Sequence, residues 1–235
     1  MSVDPLAEKY PYNGVYNFSE NRVIDGRELE GLEWETVKNE DGSTTLILRI
    51  QLHNKEQLSD KQLQKLQSDL KQQFADTFSN SELNVNAQLI IEHSENGEGK
   101  FVVILTSTEG EIIKKDDDTT QIRYQGGKVE EIGNTQENII FLTVKVNGKK
   151  RNNKKISRSF NHEAGHSAGL YHPWSPRNNI NDIKQGDKDV SPSTVKKNIM
   201  NSGANPDPNL RSNSGTDLTP GQLKEVIKNV DNERE

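Results

Sequence analysis

The alternation of apolar and polar residues is clearest between Thr44 and His53. Every second residue inside this stretch is apolar, namely Leu46, Leu48, Ile50 and Leu52. Because the side chains of a strand point to opposite faces in turn, this pattern predicts a half-buried β-strand. His53 falls in the polar phase of the strand, so we expect it to face solvent.

A helical period follows this strand. From Ser59 onward the apolar residues recur every three or four positions, as Leu63, Leu66, Leu70, Phe74 and Phe78. This spacing predicts a helix with one apolar stripe packed in the core, and Ser59 with Gln62 predicts a capping box at its start. Further strands are predicted at 85–92, 100–106 and 138–146. Near the C-terminus, Thr219-Pro220-Gly221-Gln222 combines an N-cap, a first-turn proline and a capping-box glutamine, and predicts a terminal helix.

Composition limits the function classes. A chain of 235 residues, 30% hydrophobic and 28% charged, can bury one moderate core, so one main domain is expected. The net charge of -6 argues against a general nucleic-acid binder, since phosphate contacts need a basic face. Neither a transmembrane run nor a basic-then-apolar signal peptide is found in this segment. The absence of cysteine excludes disulfides and thiolate metal sites.

Three histidines and one glutamate stand close together at the spacing of a catalytic zinc site. On a helix, His162 and His166 lie on one face and can bind one ion. Glu163 is rotated about 100° from His162, near the metal but free to hold a water. Gly169 can adopt a left-handed conformation and end the helix, so that His172 reaches the same ion. Three ligands leave a fourth position for water, whose pKa zinc lowers to about 7, and Glu163 is the expected general base.

The eleven residues HEAGHSAGLYH match the HExxHxxGxxH signature of the metzincin metallopeptidases at every specified position, and the chain resembles that family. The resemblance implies an α+β, zincin-like fold with a mixed β-sheet, a long helix, a zinc-binding active-site helix and a small C-terminal subdomain. It implies one catalytic Zn²⁺ on His162, His166 and His172, and hydrolysis of peptide bonds in a protein or peptide substrate. The alternative of ordinary surface or core histidines is disfavoured, because three of the five histidines fall in this segment.

Two further site elements are implied by the resemblance. Metzincins carry a methionine in a tight turn beneath the metal, and Met200 is the candidate; the alternative, a methionine filling a core gap, involves the same packing. Where some metzincins have a tyrosine two residues later, this chain has Ser202, so no such oxyanion donor is expected. The family also binds extended substrates along an edge strand that precedes the zinc helix. Residues 122–132 are the candidate strand, with substrate-binding positions Gly126, Gly127 and Val129.

The residues around the predicted zinc helix allow further expectations. Ser157 or Ser159 is the expected N-cap. Gly165 costs about 1 kcal/mol relative to alanine inside a helix, so its presence predicts close packing beneath the site. The stretch 145–158 carries seven basic residues and no acidic one. It indicates either attraction of an acidic substrate or partner, or a solvated loop before the helix.

The segment before residue 34 has no clean period and by pattern alone predicts an irregular leader. Its sequences DPLAEKYP and YNFSENRVIDG resemble the end of the Rhs-repeat-associated core, which precedes variable toxin domains in large bacterial Rhs proteins. The resemblance divides the chain into a core remnant or linker at 1–33 and a metallopeptidase domain at 34–235. It implies a toxin secreted or delivered out of a bacterial cell within a larger Rhs protein, with a cognate immunity protein as a partner. The commonest core ends in a DP-G element, but this chain has Ile24-Asp25-Gly26, so self-cleavage there is not carried over.

Alternatives stay open for cations and for the activity. The run Asp116-Asp117-Asp118 predicts a solvated turn, with a structural Ca²⁺ loop as the weaker alternative. The polar loop between His172 and Met200 predicts a solvated loop, a wall of the cleft or a second cation site. One rival activity is a zinc site that serves only self-processing of the Rhs protein. Another is a catalytically silent metal-binding or adhesion module, against which the intact Glu163 counts.

Overall fold

The computed structural model describes residues 33–114 and 120–232. The Rhs-like segment before residue 33 and the aspartate run at 116–118 lie outside the described residues. The strands are β1 (Trp34–Lys38), β2 (Thr44–His53), β3 (Val85–Ser94), β4 (Phe101–Thr108), β5 (Glu111–Lys114), β6 (Thr120–Arg123), β7 (Gly127–Val129), β8 (Asn138–Val146) and β9 (Lys149–Lys150). The helices are α1 (Asp60–Phe78), α2 (Asn153–Ser167), α3 (Pro192–Lys197) and α4 (Pro220–Asn232). None of the described helices is long and apolar enough to cross a membrane.

Seven of the described strands form one mixed sheet. Strand β2 pairs in parallel with β3 along its whole length, and with antiparallel β1 and parallel β4 on its other side. Strand β4 pairs in parallel with β8, which also pairs antiparallel with β7 and β9. The predicted α+β class with a mixed sheet is confirmed. Strand β7 therefore forms an edge of the sheet.

The candidate substrate strand at 122–132 is shorter than predicted. Its first residues belong to β6, which pairs with β5 in a separate two-stranded sheet where Ile122 lies opposite Ile112. Of the residues in this candidate stretch, those of β7 lie at the edge of the main sheet. The cause is local, because residues 124–126 belong to no strand and connect the two-stranded sheet to the main sheet.

The predicted core elements occur where the periodicity placed them. Strand β2 has the predicted bounds, and its four alternating apolar residues are fully buried. Ile47, on the other face, is also buried, whereas Thr45, Arg49 and Gln51 on that face are partly exposed. Helix α1 carries the predicted capping box and buries its whole apolar stripe. Trp34 of β1 packs on Phe74 and Phe78 of this stripe, with ring centroids 5.6 and 5.4 Å away.

Helix α2 begins earlier than expected. Its N-cap is Asn152, whose side chain accepts a hydrogen bond from the Lys154 N–H at 2.9 Å. Ser157 and Ser159 are buried inside the helix, so their prediction as N-caps is wrong. An asparagine is as good an N-cap as a serine, and the hairpin β8–β9 ends two residues earlier, which fixes where the helix can start.

Candidate active site

The end of helix α2 brings three histidines together. His162 and His166 are one turn apart on the helix, which ends at Gly169 with φ +87°. The Gly169 N–H donates to His166 O and the Leu170 N–H donates to Gly165 O, both at 2.9 Å. This pair of bonds is a Schellman motif, which a glycine in the left-handed region permits. The chain then turns back, and His172 joins the other two in a histidine triad consistent with a zincin motif.

Backbone carbonyls set the orientation of two of these rings. His162 Nδ1 lies 2.8 Å from Ile199 O, and His166 Nδ1 lies 2.7 Å from Leu170 O. A carbonyl only accepts, so both Nδ1 atoms are protonated donors. In the neutral ring the Nε2 atom then carries the lone pair, as a metal ligand requires.

The spacing of the Nε2 atoms fits a zinc ion. His172 Nε2 lies 3.3 Å from His162 Nε2 and 3.3 Å from His166 Nε2. Tetrahedral zinc with Zn–N bonds of about 2.0–2.1 Å separates its ligand nitrogens by about 3.3–3.4 Å. A proton on His172 Nε2 could satisfy only one of the two neighbours, whereas a cation between the rings satisfies all three lone pairs. Both distances to His172 therefore match zinc, and the ligand atoms of all three side chains lie within 4.8 Å of one another.

The electrostatics of the site favour neutral imidazoles. Burial lowers the pKa of His162 well below its usual value, and the neighbouring His166 and Arg158 lower it further. Burial, with His172 nearby, lowers the pKa of His166 to about 4. The pKa of His172 is lowered by burial and by the charge of Arg158. Neutral rings need not release a proton to bind metal at neutral pH.

Glu163 presents a buried carboxylate beside this triad. The residue is 8% exposed, and its Oε2 accepts a hydrogen bond from the Val129 N–H at 3.1 Å. Burial raises the pKa of Glu163 to about 7, against the Val129 bond and the charge of Arg158, which lower it. A divalent cation beside the carboxylate would lower the pKa again. A carboxylate whose pKa lies near the working pH is suited to general-base chemistry.

Strand β7 lies directly against Glu163. A Cβ atom at Gly127 would come within 2.8 Å of Glu163 Cγ, so a larger residue there would displace the Glu163 side chain. Gly126 O and the Glu130 N–H bond to β8, so alternation turns the N–H and C=O groups of Gly127 and Val129 outward. The Val129 N–H is already bonded to Glu163, so this donor orients the carboxylate. We call Gly126, Gly127 and Val129 the wall.

The bend before the wall is fixed by Arg151. Its guanidinium donates to Gly126 O at 3.0 Å, to Ser159 Oγ at 3.1 Å and to Thr143 O. It also stacks over the Tyr124 ring at 4.8 Å. A Cβ at Gly126 would lie 2.5 Å from Ser159 Oγ, so Gly126 packs closely on α2. Arg151 therefore links the wall to the helix of the triad.

A turn beneath the histidines contains Met200. The side chain is fully buried, and a Cβ added at Gly165 would lie 2.5 Å from its Sδ atom. The close packing predicted from Gly165 is therefore present, and Met200 is the residue that needs the space. Ile199 of the same turn supplies the carbonyl that orients His162. We call Arg158, Gly165, Ile199 and Met200 the floor.

Arg158 holds the floor together and was missed by sequence inspection. The buried guanidinium donates to Gly215 O at 3.2 Å, to Ile199 O at 3.0 Å and to Asn201 O. Burial lowers its pKa to about 10, and the charge of Glu163 opposes that shift. The basic stretch at 145–158 therefore contains two kinds of residue. Arg151 and Arg158 have structural roles. Its exposed members are Lys149, Lys150, Lys154 and Lys155.

Two polar side chains of the loop after His172 form hydrogen bonds within the protein. Asp182 accepts hydrogen bonds from Thr219 Oγ1 and the Gly221 N–H, both at 2.7 Å, and so caps the start of α4. Asn178 is buried and accepts from the Ile180 N–H. Among the described residues, the histidine triad is the one group of His, Asp and Glu side chains clustered closely enough to hold a metal. Asn179, Asn181 and Asp189 of the loop are exposed, as expected of a solvated loop, and the described residues hold no second metal cluster there.

Comparisons with known proteins found similarity to solved structures. No protein-family model matches the sequence, and no curated protein matches it. Among solved structures, the chain is similar to the crystal structure of metalloproteinase-II from Bacteroides fragilis, with 13% sequence identity and a TM-score of 0.41. The match covers 88% of this chain and 60% of that one. At this identity and TM-score the likeness carries no argument about function.

Proposed function

We propose that this chain is a zinc-dependent endopeptidase. The observation that carries the proposal is the buried Glu163 carboxylate, which follows the first histidine of the triad on α2 and accepts a hydrogen bond from the outward Val129 N–H of β7. A metal site, a base and a strand edge that can pair with an extended peptide are thus neighbours. A silent metal-binding module has no need of a carboxylate with a pKa of about 7 at that place.

The chain's own residues have distinct roles in this proposal. His162, His166 and His172 hold the zinc, which when bound polarises the scissile carbonyl and makes water more acidic. Glu163 takes a proton from the attacking water on a carboxylate oxygen and passes it to the leaving amine. The outward N–H and C=O of Gly127 and the C=O of Val129 can pair with the substrate backbone, as in addition of a strand to a sheet edge. Such pairing depends little on substrate side chains.

The test is cleavage of an unstructured protein by the zinc-loaded chain. Reduced and alkylated casein is a suitable substrate, with new N-termini identified by mass spectrometry. Glu163→Gln keeps the shape of the side chain but removes the base, so cleavage should fall at least ~10²-fold at equal zinc content. If Glu163→Gln cleaves as fast as the parent, the proposed mechanism is wrong.

The wider setting is also a proposal, and it is supported by the Rhs-like residues before position 34. In that setting the domain is the toxin of a bacterial effector. It is delivered out of the producing cell, and an immunity protein neutralises it inside that cell. Expression in bacteria should slow growth and create new N-termini across the proteome, and Glu163→Gln should abolish both effects. Cleavage of the larger Rhs polypeptide alone, with growth and proteome unchanged, would support self-processing instead.

A further inference from the structure

His172 differs from the other two histidines in how its ring is held. Nδ1 of His162 and Nδ1 of His166 each donate to a backbone carbonyl. Within residues 33–114 and 120–232, Nδ1 of His172 has no hydrogen-bond partner, and the residue lies in a loop instead of a helix. Its Nε2 atom nevertheless points at both of the other rings. Some contact other than a hydrogen bond must therefore fix its rotation.

The indole of Trp174 lies flat against the His172 ring. The ring centroids are 4.4 Å apart and the planes differ by 3°. The His166 ring meets His172 edge-on, at 89° and 4.7 Å. Rotation of the imidazole out of its plane would collide with the indole. The two contacts together fix the plane of the His172 ring.

The backbone between the two residues brings the rings together. The Ser175 N–H donates to His172 O at 2.9 Å, which closes a four-residue turn with Pro173 in its second position. Proline favours that position because its ring fixes φ. The Pro173 carbonyl accepts from the Gln185 N–H at 2.9 Å and from the Asn178 side chain. The turn is therefore anchored to the loop by contacts that do not involve the triad.

We propose that Trp174 is a positioning residue that holds His172 in its metal-binding orientation by face-to-face stacking. The proposal rests on the zinc site of the proposed function and adds a residue to it. An aromatic face suits this task, because a neutral imidazole stacks on it without needing a donor or acceptor. An aliphatic side chain of similar size would cover the ring but would not align it.

The first test compares two substitutions in the full chain. Zinc affinity is measured by competition with a chromophoric chelator for the parent, Trp174→Phe and Trp174→Leu. The leucine variant should bind zinc about tenfold more weakly, as is typical when a partner that orients a ligand is lost. The phenylalanine variant keeps a stacking face and should stay within about twofold of the parent. Equal affinities for Trp174→Leu and Trp174→Phe would overturn the proposal.

The second test does not depend on whether Trp174→Leu folds. The chain has two tryptophans, and the other one, Trp34, is fully buried and bonded to Ser167 Oγ at 2.9 Å. Zinc titration of the metal-free parent should change the tryptophan emission and saturate at one equivalent, and Trp174→Phe should lose this change. Unchanged emission in a parent that binds zinc by the chelator assay would overturn the proposal. A parent that binds no zinc would instead refute the proposed function.

Discussion

The floor and the wall lie on two sides of the same active-site helix and are built in opposite ways. The floor is saturated with contacts: Arg158 bonds to three carbonyls, and Met200 fills the space that Gly165 leaves. The wall has two glycines and one hydrogen bond to the site, from the Val129 N–H to Glu163. The difference indicates a division of labour. We expect the floor to govern stability and metal retention, and the wall to govern turnover.

The largest expected effect is the dependence of stability on pH. The pKa values of the histidines in the site are lowered, whereas the pKa of Glu163 is raised. In the zinc-free protein, the unfolded chain protonates its histidines below about pH 6.5, but folded His166 does so only near pH 4. The free energy of unfolding therefore falls as pH drops through this range, and His162 and His172 act in the same direction. Folded Glu163 takes up its proton near pH 7 and unfolded Glu163 near 4.5, so this residue opposes the trend.

Urea unfolding of the metal-free protein between about pH 8 and about pH 4.5 measures the balance. Three histidines outweigh one carboxyl group, so the net stability should fall towards acid pH. Glu163→Gln removes the opposing contribution and should make the decline steeper. Parallel pH profiles for the two proteins would contradict the raised pKa of Glu163.

Arg158→Met should produce the next largest effect. It removes the donors of three buried carbonyls, and we expect the free energy of unfolding to fall by about 3 kcal/mol. Zinc should also bind more weakly, because Ile199 O orients His162. Chemical denaturation and chelator competition measure the two quantities. Lys154→Met, an exposed change on the same helix, is the matched control, and an equal loss in that variant would contradict the role of Arg158.

Gly165→Ala tests the packing of the floor directly. The added methyl group would lie 2.5 Å from Met200 Sδ, and we expect a loss of about 2 kcal/mol despite the better helix propensity of alanine. Met200→Ala in the same chain makes room for that methyl group. The double variant should therefore lose less unfolding free energy than the sum of the losses in the two single variants. Additive losses would show that the two residues do not share this space.

Gly127→Ala tests the wall and should have the smallest effect. Its methyl group would lie 2.8 Å from Glu163 Cγ and displace the carboxylate, so kcat/KM should fall about tenfold with zinc content unchanged. Side chains alternate along a strand, so Lys128 points away from Glu163 and Lys128→Ala is the control. Loss of zinc in Gly127→Ala would remove the distinction between floor and wall.

Local sequence patterns predicted much of this molecule, and the failures share a cause. The bounds of β2 and β8, the stripe of α1 and the glycine that ends α2 follow from periodicity and from conformational preferences of single residues. Strand β7 has three residues, too few for a period, and exists because β8 pairs with it. Arg158 and Trp174 act through contacts that depend on the folded chain. The basic run around Arg158 has the pattern of a solvated or partner-binding surface, which hides a buried arginine. The bulky aromatic residue two positions after His172 is the sequence signal for Trp174.

The metal content of purified protein tests the central claim most directly. His172 Nε2 lies at the ligand spacing of tetrahedral zinc from the Nε2 atoms of His162 and His166, so the parent should hold about one zinc per chain by elemental analysis. His166→Ala should lose most of it, whereas His93→Ala, which changes an exposed histidine on β3, should keep it. Full zinc occupancy in His166→Ala, or no zinc in the parent, would contradict the account.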